Sequence, residues 1–465
     1  MSALTDLGIA EAAAALRARR CSATELAQAH LARIERLNPR LNVYLTVTAE
    51  RALADARRAT DELGRGIDRG PLHGVPIGLK DIVDTAGIRT TCGSKVHAAH
   101  VPSADAAVAR KLADAGAVLL GKLATHEYAF GVTTNNPHWG PTRNPWDTTR
   151  IPGGSSGGSG AAVAARIACG AIGTDTGGSI RIPAAVCGVV GLKPTYGRVS
   201  KTGVFPMSYL FDHVGPLTRT VEDAALMLGA IAGYDAGDAT TVPVPIDDYC
   251  ARLAEGVRGL RIGVPRNLFA PVDAAVLASV EEALATLARL GATVREVTVP
   301  ELPTTGMLEL IIAEAKEIHA DTLAHRMDDL GTDLQLYLSA PIGDAVWMAQ
   351  VLRQVREYTA TLRTVLRDEV DLLALPTCPI GAPPIGADVC DVGGVELQTF
   401  FALAQRTAPF NAAGLPALSV PCGFTPDGLP IGLQIVGRPF DETTVLRAGH
   451  AYEQATDWHR RRPPE

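Results

Sequence analysis

Two glycine-dense segments and one lysine carry the residue types from which a hydrolytic site can be built. Residues 153–160 read GGSSGGSG and residues 174–183 read TDTGGSIRIP. Glycines beside serines let main-chain N–H groups crowd around one bound atom without side-chain clash, as an oxyanion hole requires. A turn through Thr176, Gly177, Gly178 and Ser179 would aim successive N–H groups at a carbonyl oxygen while the Ser179 hydroxyl attacks its carbon. The competing reading is a plain Gly-Gly-Ser turn in which Ser179 caps a helix over 181–186.

A serine hydroxyl is a weak nucleophile at neutral pH and needs a base. Neither His213 nor His450 lies in a glycine-rich or carboxylate-paired setting. Lys80 falls in the apolar run 74–83, where burial would weaken an amine's hold on its proton. The chain has seven lysines against 36 arginines. Arginine cannot serve as a base, so a lysine at an apolar position in this chain suggests a need for a removable proton. A buried lysine paired with Asp81 or Asp84 is the alternative.

Five ordered motifs extend these segments: HGVPIGLKD, RNPWD, GGSSGGSGAAVAA, GTDTGGSIRIPAAVCGVVGLKPTYGRVS and DHVGPLTRTVEDAA. Together they resemble the signature region of the amidase signature family over residues 72–233, with weaker echoes in NAAGLPALSVPCG and GLPIGLQIVGRPFDE. The resemblance implies Ser179 as nucleophile, Ser155 as a bridging serine on a cis peptide, and Lys80 as terminal base. Ser156 is the neighbour that could be confused with Ser155. It also implies an oxyanion hole from the N–H groups of Thr176, Gly177, Gly178 and Ser179, an acyl-enzyme intermediate, and no metal or organic cofactor.

The substrate implied is a small amide, or a carbamate, urea or ester. Residues expected around it are Tyr128, Phe130, Gly154, Asp175, Arg181, Phe205 and Tyr209, with Trp139, Met207 and Phe211 nearby on the same loops. Aromatic loop residues are as often anchors in the core, and Arg181 could equally make a structural salt bridge. Within the family the rival is the catalytic subunit of glutamyl-tRNA amidotransferase, which frees ammonia for a partner subunit. Ile182, where those subunits usually carry glutamine, and the stretch SYLFDHVGP lean toward a free-standing amidase. An inactive scaffold on the same fold is the reading from another class.

Two other motifs fail on context. GGSSG fits the G-x-S-x-G elbow of α/β-hydrolases, but the loop NPWDTTRIP precedes it where a strand is required. GAVLLGKL at 116–123 nearly fits a phosphate loop, yet its interior is apolar and Leu123 replaces the metal-binding hydroxyl.

The elements that must position these residues follow from periodicity. Amphipathic helices are expected from Ile9 to about Asn38, with a Ser22/Glu25 capping box opening the second, and from Ala49 to Leu63. A helix from Asp105 to Gly116 precedes a buried strand AVLLGK. Strands LRIGVPR, VDLLALP, PALSVPCG and PIGLQIVG alternate with helices over 273–290, 307–327 and 343–367, and a helix from Glu442 closes the chain. The expected fold is α/β: a single large domain over 1–465, with a central, mostly parallel mixed sheet covered by helices on both faces. A helical arm is expected at 1–66, the signature core at 67–235, and the rest of the sheet and its helices at 236–465.

Composition agrees with a globular enzyme: 465 residues, 47% hydrophobic and 20% charged. A net charge of −7 offers no basic surface for direct nucleic-acid contact. The first residues lack the layout of a secretory signal, and no apolar run approaches the roughly 18 residues of a membrane span. A cytoplasmic protein is expected, and a homodimer, common among such enzymes, is one arrangement open to it. The eight cysteines are scattered, with no disulfide framework or metal-ligand spacing.

Overall fold

Short apolar runs that do not alternate must be covered on both faces if they form strands, because successive side chains point to opposite sides. The computed structural model describes residues 2–464, and its main sheet obeys this rule. In chain order the strands are β1 (Tyr44–Val47), β2 (Pro76–Lys80), β3 (Val118–Leu123), β4 (Gly170–Asp175), β5 (Val190–Lys193), β6 (His213–Thr218), β7 (Arg261–Pro265), β8 (Thr293–Val297), β9 (Leu372–Pro376), β10 (Ala417–Phe424) and β11 (Pro430–Val436). They lie side by side as β1-β3-β2-β4-β6-β5-β10-β11-β9-β7-β8. Strands β2 to β6, β9 and β11 are buried at every position. The edge strands β1 and β8 carry the exposed residues.

A single domain with a large mixed sheet flanked by helices is the observed class. Its parallel character is local. β2 runs parallel to β3 and β4, and β7 runs parallel to β8 and β9. Between these blocks the pairs β4–β6, β5–β6, β5–β10, β10–β11 and β9–β11 are antiparallel. The difference from a mostly parallel sheet comes from β5 and β6, from β11, which runs antiparallel to both its neighbours, and from β1 at the edge. β5 and β6 lie in the signature region, where glycines and prolines obscure a strand pattern.

The first 64 residues include the helices Ile9–Arg17, Ala23–Leu41 and Ala49–Gly64. Ser22 Oγ accepts the Glu25 N–H at 3.1 Å, and the Glu25 carboxylate accepts the Ser22 N–H at 2.8 Å, closing the capping box. The arm also contributes β1, which pairs antiparallel with β3 and closes that edge of the sheet. The helix expected over 307–327 is divided into Thr304–Ile318 and Ala320–His325, with His319 off helical geometry at φ −98°, ψ 16°.

Two short connections set up chemistry. Helix Gly157–Ala164 starts directly after the first serine pair and leads to β4, and helix Arg181–Cys187 leads from β4 to β5. Gly158 lets the first helix press on the chain after β3, since a Cβ there would stand 2.4 Å from the Ala124 carbonyl oxygen. A second apolar cluster, including Tyr128, Phe130, Met207, Met307, Ile311 and Leu334, packs loops and long helices over this end of the sheet.

Gly121 is where the arm meets the sheet. Its φ is +153°, and a Cβ would come within 2.1 Å of the Thr46 carbonyl oxygen. Gly121→Ala should therefore loosen β1, raising amide hydrogen exchange at residues 44–47 by roughly tenfold or more. Unchanged exchange there would mean that this contact does not hold the edge strand.

Candidate active site

Lys80 ends β2 and is fully buried. Its Nζ donates to Ser155 Oγ at 2.6 Å and to Thr174 Oγ1, on neighbouring β4, at 2.8 Å. No carboxylate pairs with it among the described residues. Asp81, one residue on, faces away and accepts from the Thr91 N–H at 2.9 Å and from the Thr91 hydroxyl. Burial lowers the Lys80 pKa to about 7, against the smaller opposing pull of Asp212 and Asp175. The amine thus sits poised between its two protonation states near neutral pH.

Close backbone packing positions Ser155. The Gly154–Ser155 peptide is cis. The Ser155 carbonyl accepts from the His126 N–H at 3.1 Å and lies 3.2 Å from Thr134 Oγ1. That same hydroxyl is 2.8 Å from the Gly153 carbonyl and accepts the Gly157 N–H at 3.1 Å, so one buried threonine ties three points of the loop. Gly154 is required by proximity, because a Cβ would fall 2.6 Å from backbone atoms of Val132 and Thr133. Ser156 is occupied elsewhere: its Oγ lies 3.1 Å from the Thr174 carbonyl and 3.2 Å from the Thr174 N–H nitrogen. Its own N–H donates to the Ser179 carbonyl at 3.3 Å, joining the two glycine-rich halves. Of the two adjacent serines, Ser155 is the one wired to the lysine.

The turn after β4 is organised by Asp175. Its carboxylate accepts N–H groups from Gly178 at 2.8 Å and Ile180 at 3.1 Å, and pairs with Arg181 through Nε at 2.9 Å and Nη2 at 2.8 Å. Burial alone would push this carboxyl up, but Arg181, Lys193 and Asn411 together hold it below the usual carboxylate range. Gly178, at φ +137°, was expected to serve the oxyanion; its N–H is instead committed to Asp175. The N–H groups of Thr176, Gly177 and Ser179 have no protein acceptor among the described residues.

Ser179 is 6% exposed and opens on a cleft. Thr176 and Gly177 share its floor, and Met207, Met307, Ile311, Phe400 and Phe401 are among its walls. Among the described residues no charged side chain lines it. The expected substrate contacts are redistributed. Arg181 is fully buried, donating also to the Thr407 carbonyl at 2.9 Å, Gln434 Oε1 at 2.6 Å and Asn411 Oδ1 at 2.6 Å, and like Asp175 it is structural. Tyr128 is buried with its hydroxyl 2.6 Å from His97 Nδ1, its ring packed against Phe205 and His319. Phe130 packs on Tyr337. These rings support the cleft from behind, and Ala129, Gly131 and Val132 between and beside them form its surface. Tyr209 is 52% exposed and lines a separate cavity with Thr174 and Asp212. Trp139 lies outside the cleft under the Arg89 guanidinium.

Thr134, Thr174 and the walls at 304–311 and 400–408 were not read from the sequence. A lone threonine carries no spacing signal, and the walls come from helices far along the chain. Arg181→Met should lower stability by about 3–5 kcal/mol, because it strands the Asp175 charge in the interior. A thermal melt reads this directly, and a variant melting like the wild type with only a raised KM would instead give Arg181 to the substrate.

Comparison with known proteins places this geometry. Residues 25–446 match the family model described as Amidase. The A subunit of glutamyl-tRNA(Gln) amidotransferase from Chloroflexus aggregans is 43% identical, the match covering 100% of this chain and 99% of that protein. Among solved structures, a chain from a complex tied to the evolutionary origins of an s-triazine catabolic enzyme aligns with TM-score 0.91 at 36% identity, covering 96% of this chain and 98% of that one. The peptide amidase PAM, bound to the inhibitor chymostatin, aligns with TM-score 0.87 at 34% identity, covering 98% and 99%. With matches of this extent, the chain belongs to the amidase signature family of enzymes that cleave carbon–nitrogen bonds.

Proposed function

We propose that this protein is a free-standing amidase that hydrolyses neutral, apolar amides through a Ser179–Ser155–Lys80 relay. The observation that carries the reading is the 2.6 Å hydrogen bond to Ser155 from a buried amine that pairs with no carboxylate among the described residues. In this scheme neutral Lys80 takes the Ser155 proton as Ser155 takes that of Ser179, whose oxygen bonds to the substrate carbonyl carbon. The N–H groups of Thr176, Gly177 and Ser179 stabilise the oxyanion that forms. The tetrahedral adduct collapses, the C–N bond breaks, and Ser155 protonates the departing amine with the proton returned by Lys80. Water then enters by the same relay in reverse, releasing the acid and restoring Ser179.

The uncharged walls of the cleft favour an apolar acyl group. A free amino acid would place an ammonium and a carboxylate where, among the described residues, no side chain of opposite charge lines the space, a costly desolvation. The second reading is a glutaminase subunit serving a partner, which the 43% identity to an amidotransferase A subunit supports. No helix among the described residues is long and apolar enough to cross a membrane, and action in the cytoplasm, alone or as a homodimer, accords with the first reading.

A hydrolysis screen over apolar amides, carbamates, ureas and glutamine, with the purified chain alone, separates the two. Turnover of neutral amides is expected; turnover of glutamine only after adding a second protein chain would overturn the proposal. Ser179→Ala should lower kcat by roughly 10⁴- to 10⁶-fold. For Lys80 the sign is fixed by its lowered pKa: below about 7 the ammonium cannot accept a proton, so kcat/KM should rise with pH through about 7 and then level. A wild-type profile flat across neutral pH would remove Lys80 from the role of base.

A further inference from the structure

Two carboxylates lie close enough to Lys80 to pull on its charge, and they differ in how they are compensated. Asp175 is locked to Arg181 by two hydrogen bonds. Asp212, just before β6 and only 8% exposed, has no ion-pair partner within 4 Å among the described residues. The nearby Lys201 is engaged with Asp238 at 3.7 Å and with the Thr240 hydroxyl.

The two oxygens of Asp212 reach in different directions. Oδ1 accepts the Thr176 hydroxyl at 2.5 Å, at the start of the oxyanion turn. Oδ2 accepts N–H groups from Met207 at 2.8 Å and Ser208 at 3.1 Å. Met207 is a wall of the cleft. Ser208 in turn donates to Glu314, which also accepts the Leu210 N–H at 3.2 Å. Glu314 belongs to helix Thr304–Ile318, which supplies Met307 and Ile311 to the same cleft. A single carboxylate therefore spans from the floor behind the nucleophile to the wall that meets the acyl group. It also shares a cavity with Thr174, the second hydroxyl partner of Lys80.

We propose that Asp212 is a positioning residue for the hydrolysis, clamping the Thr176 end of the oxyanion turn to the Met207 wall and placing a carboxylate that has no ion-pair partner among the described residues beside the Lys80 network. This rests on the relay proposed above. The charged and titratable groups around Asp212 are Lys80 from β2, Asp175 from β4, Lys201, Tyr196 and Tyr209 from loops, His213 from β6 and Glu314 from its helix. Burial holds His213 neutral, and Arg181 neutralises Asp175. Removing the Asp212 charge therefore withdraws support from the Lys80 ammonium, so Lys80 should lose its proton at lower pH.

The test is the pH dependence of the rate at which a fluorophosphonate labels Ser179, which reads relay and oxyanion turn without a known substrate. Folding of each variant is checked by circular dichroism and thermal melting. Thr176→Val should slow labelling by roughly 10- to 100-fold with the acid limb in place, and Thr176→Ser should restore the rate. Asp212→Asn should move the acid limb down by roughly one pH unit. Should Asp212→Asn fail to fold, Asp212→Glu keeps the charge while displacing the clamp, and should lower the rate with the limb unmoved. Wild-type protein that does not label at all would sink the relay itself. Normal wild-type labelling, with Thr176→Val and the folded Asp212 variants matching it in rate and limb, would overturn the role of Asp212 alone.

Discussion

An amine buried without a counter-ion is the constraint to which the rest of this molecule answers. Lys80 lies at the end of a strand closed on both faces, and among the described residues two hydroxyls, from Ser155 and Thr174, receive its hydrogen bonds. Such a group is tolerable because it can shed its charge, and shedding it is also what makes it a base. Had Asp81 turned inward to pair with it, the interior would have been more comfortable and the amine useless for proton transfer near neutrality. Asp81, the first residue past β2, is instead held by the N–H and hydroxyl of Thr91.

Around this amine, order is imposed mostly by main-chain contacts. Thr134 gathers Gly153, Ser155 and Gly157; Ser156 stitches the loop to β4; Asp175 draws the N–H groups of Gly178 and Ile180 under itself. Asp175 can do so because Arg181 cancels its charge within the same turn. Glycine is needed where these segments touch, at Gly154 and Gly158, because any side chain would collide with backbone that cannot yield.

The parts of this arrangement that were legible in the sequence share a physical character. Lys80, Ser155 and Ser179 stand in segments whose composition is abnormal for structure alone, and family resemblance ordered them. The long helices and the strands of the second half showed their periods openly. β5 and β6 did not, since short strands rich in glycine and proline lack the alternation that marks a half-buried strand. The commitment of Gly178 to Asp175 was hidden too, because a turn sequence shows which N–H groups are close together and not which acceptor claims each one. Arg181 read equally as substrate ligand or structural partner until its four protein acceptors were visible.

Much of the cleft wall, Met207 and the 129–132 segment excepted, has a different origin from the cleft floor. Ser179, Thr176 and Gly177 come from the first half of the chain, whereas Thr304, Met307, Ile311, Phe400 and Phe401 come from the second. Much of the surface that would select the substrate is thus written in stretches of the polypeptide apart from the bond-breaking machinery. Residues in the later stretches are free to drift without disturbing proton transfer, so a lineage can acquire a new diet by editing a few wall positions while inheriting its chemistry intact.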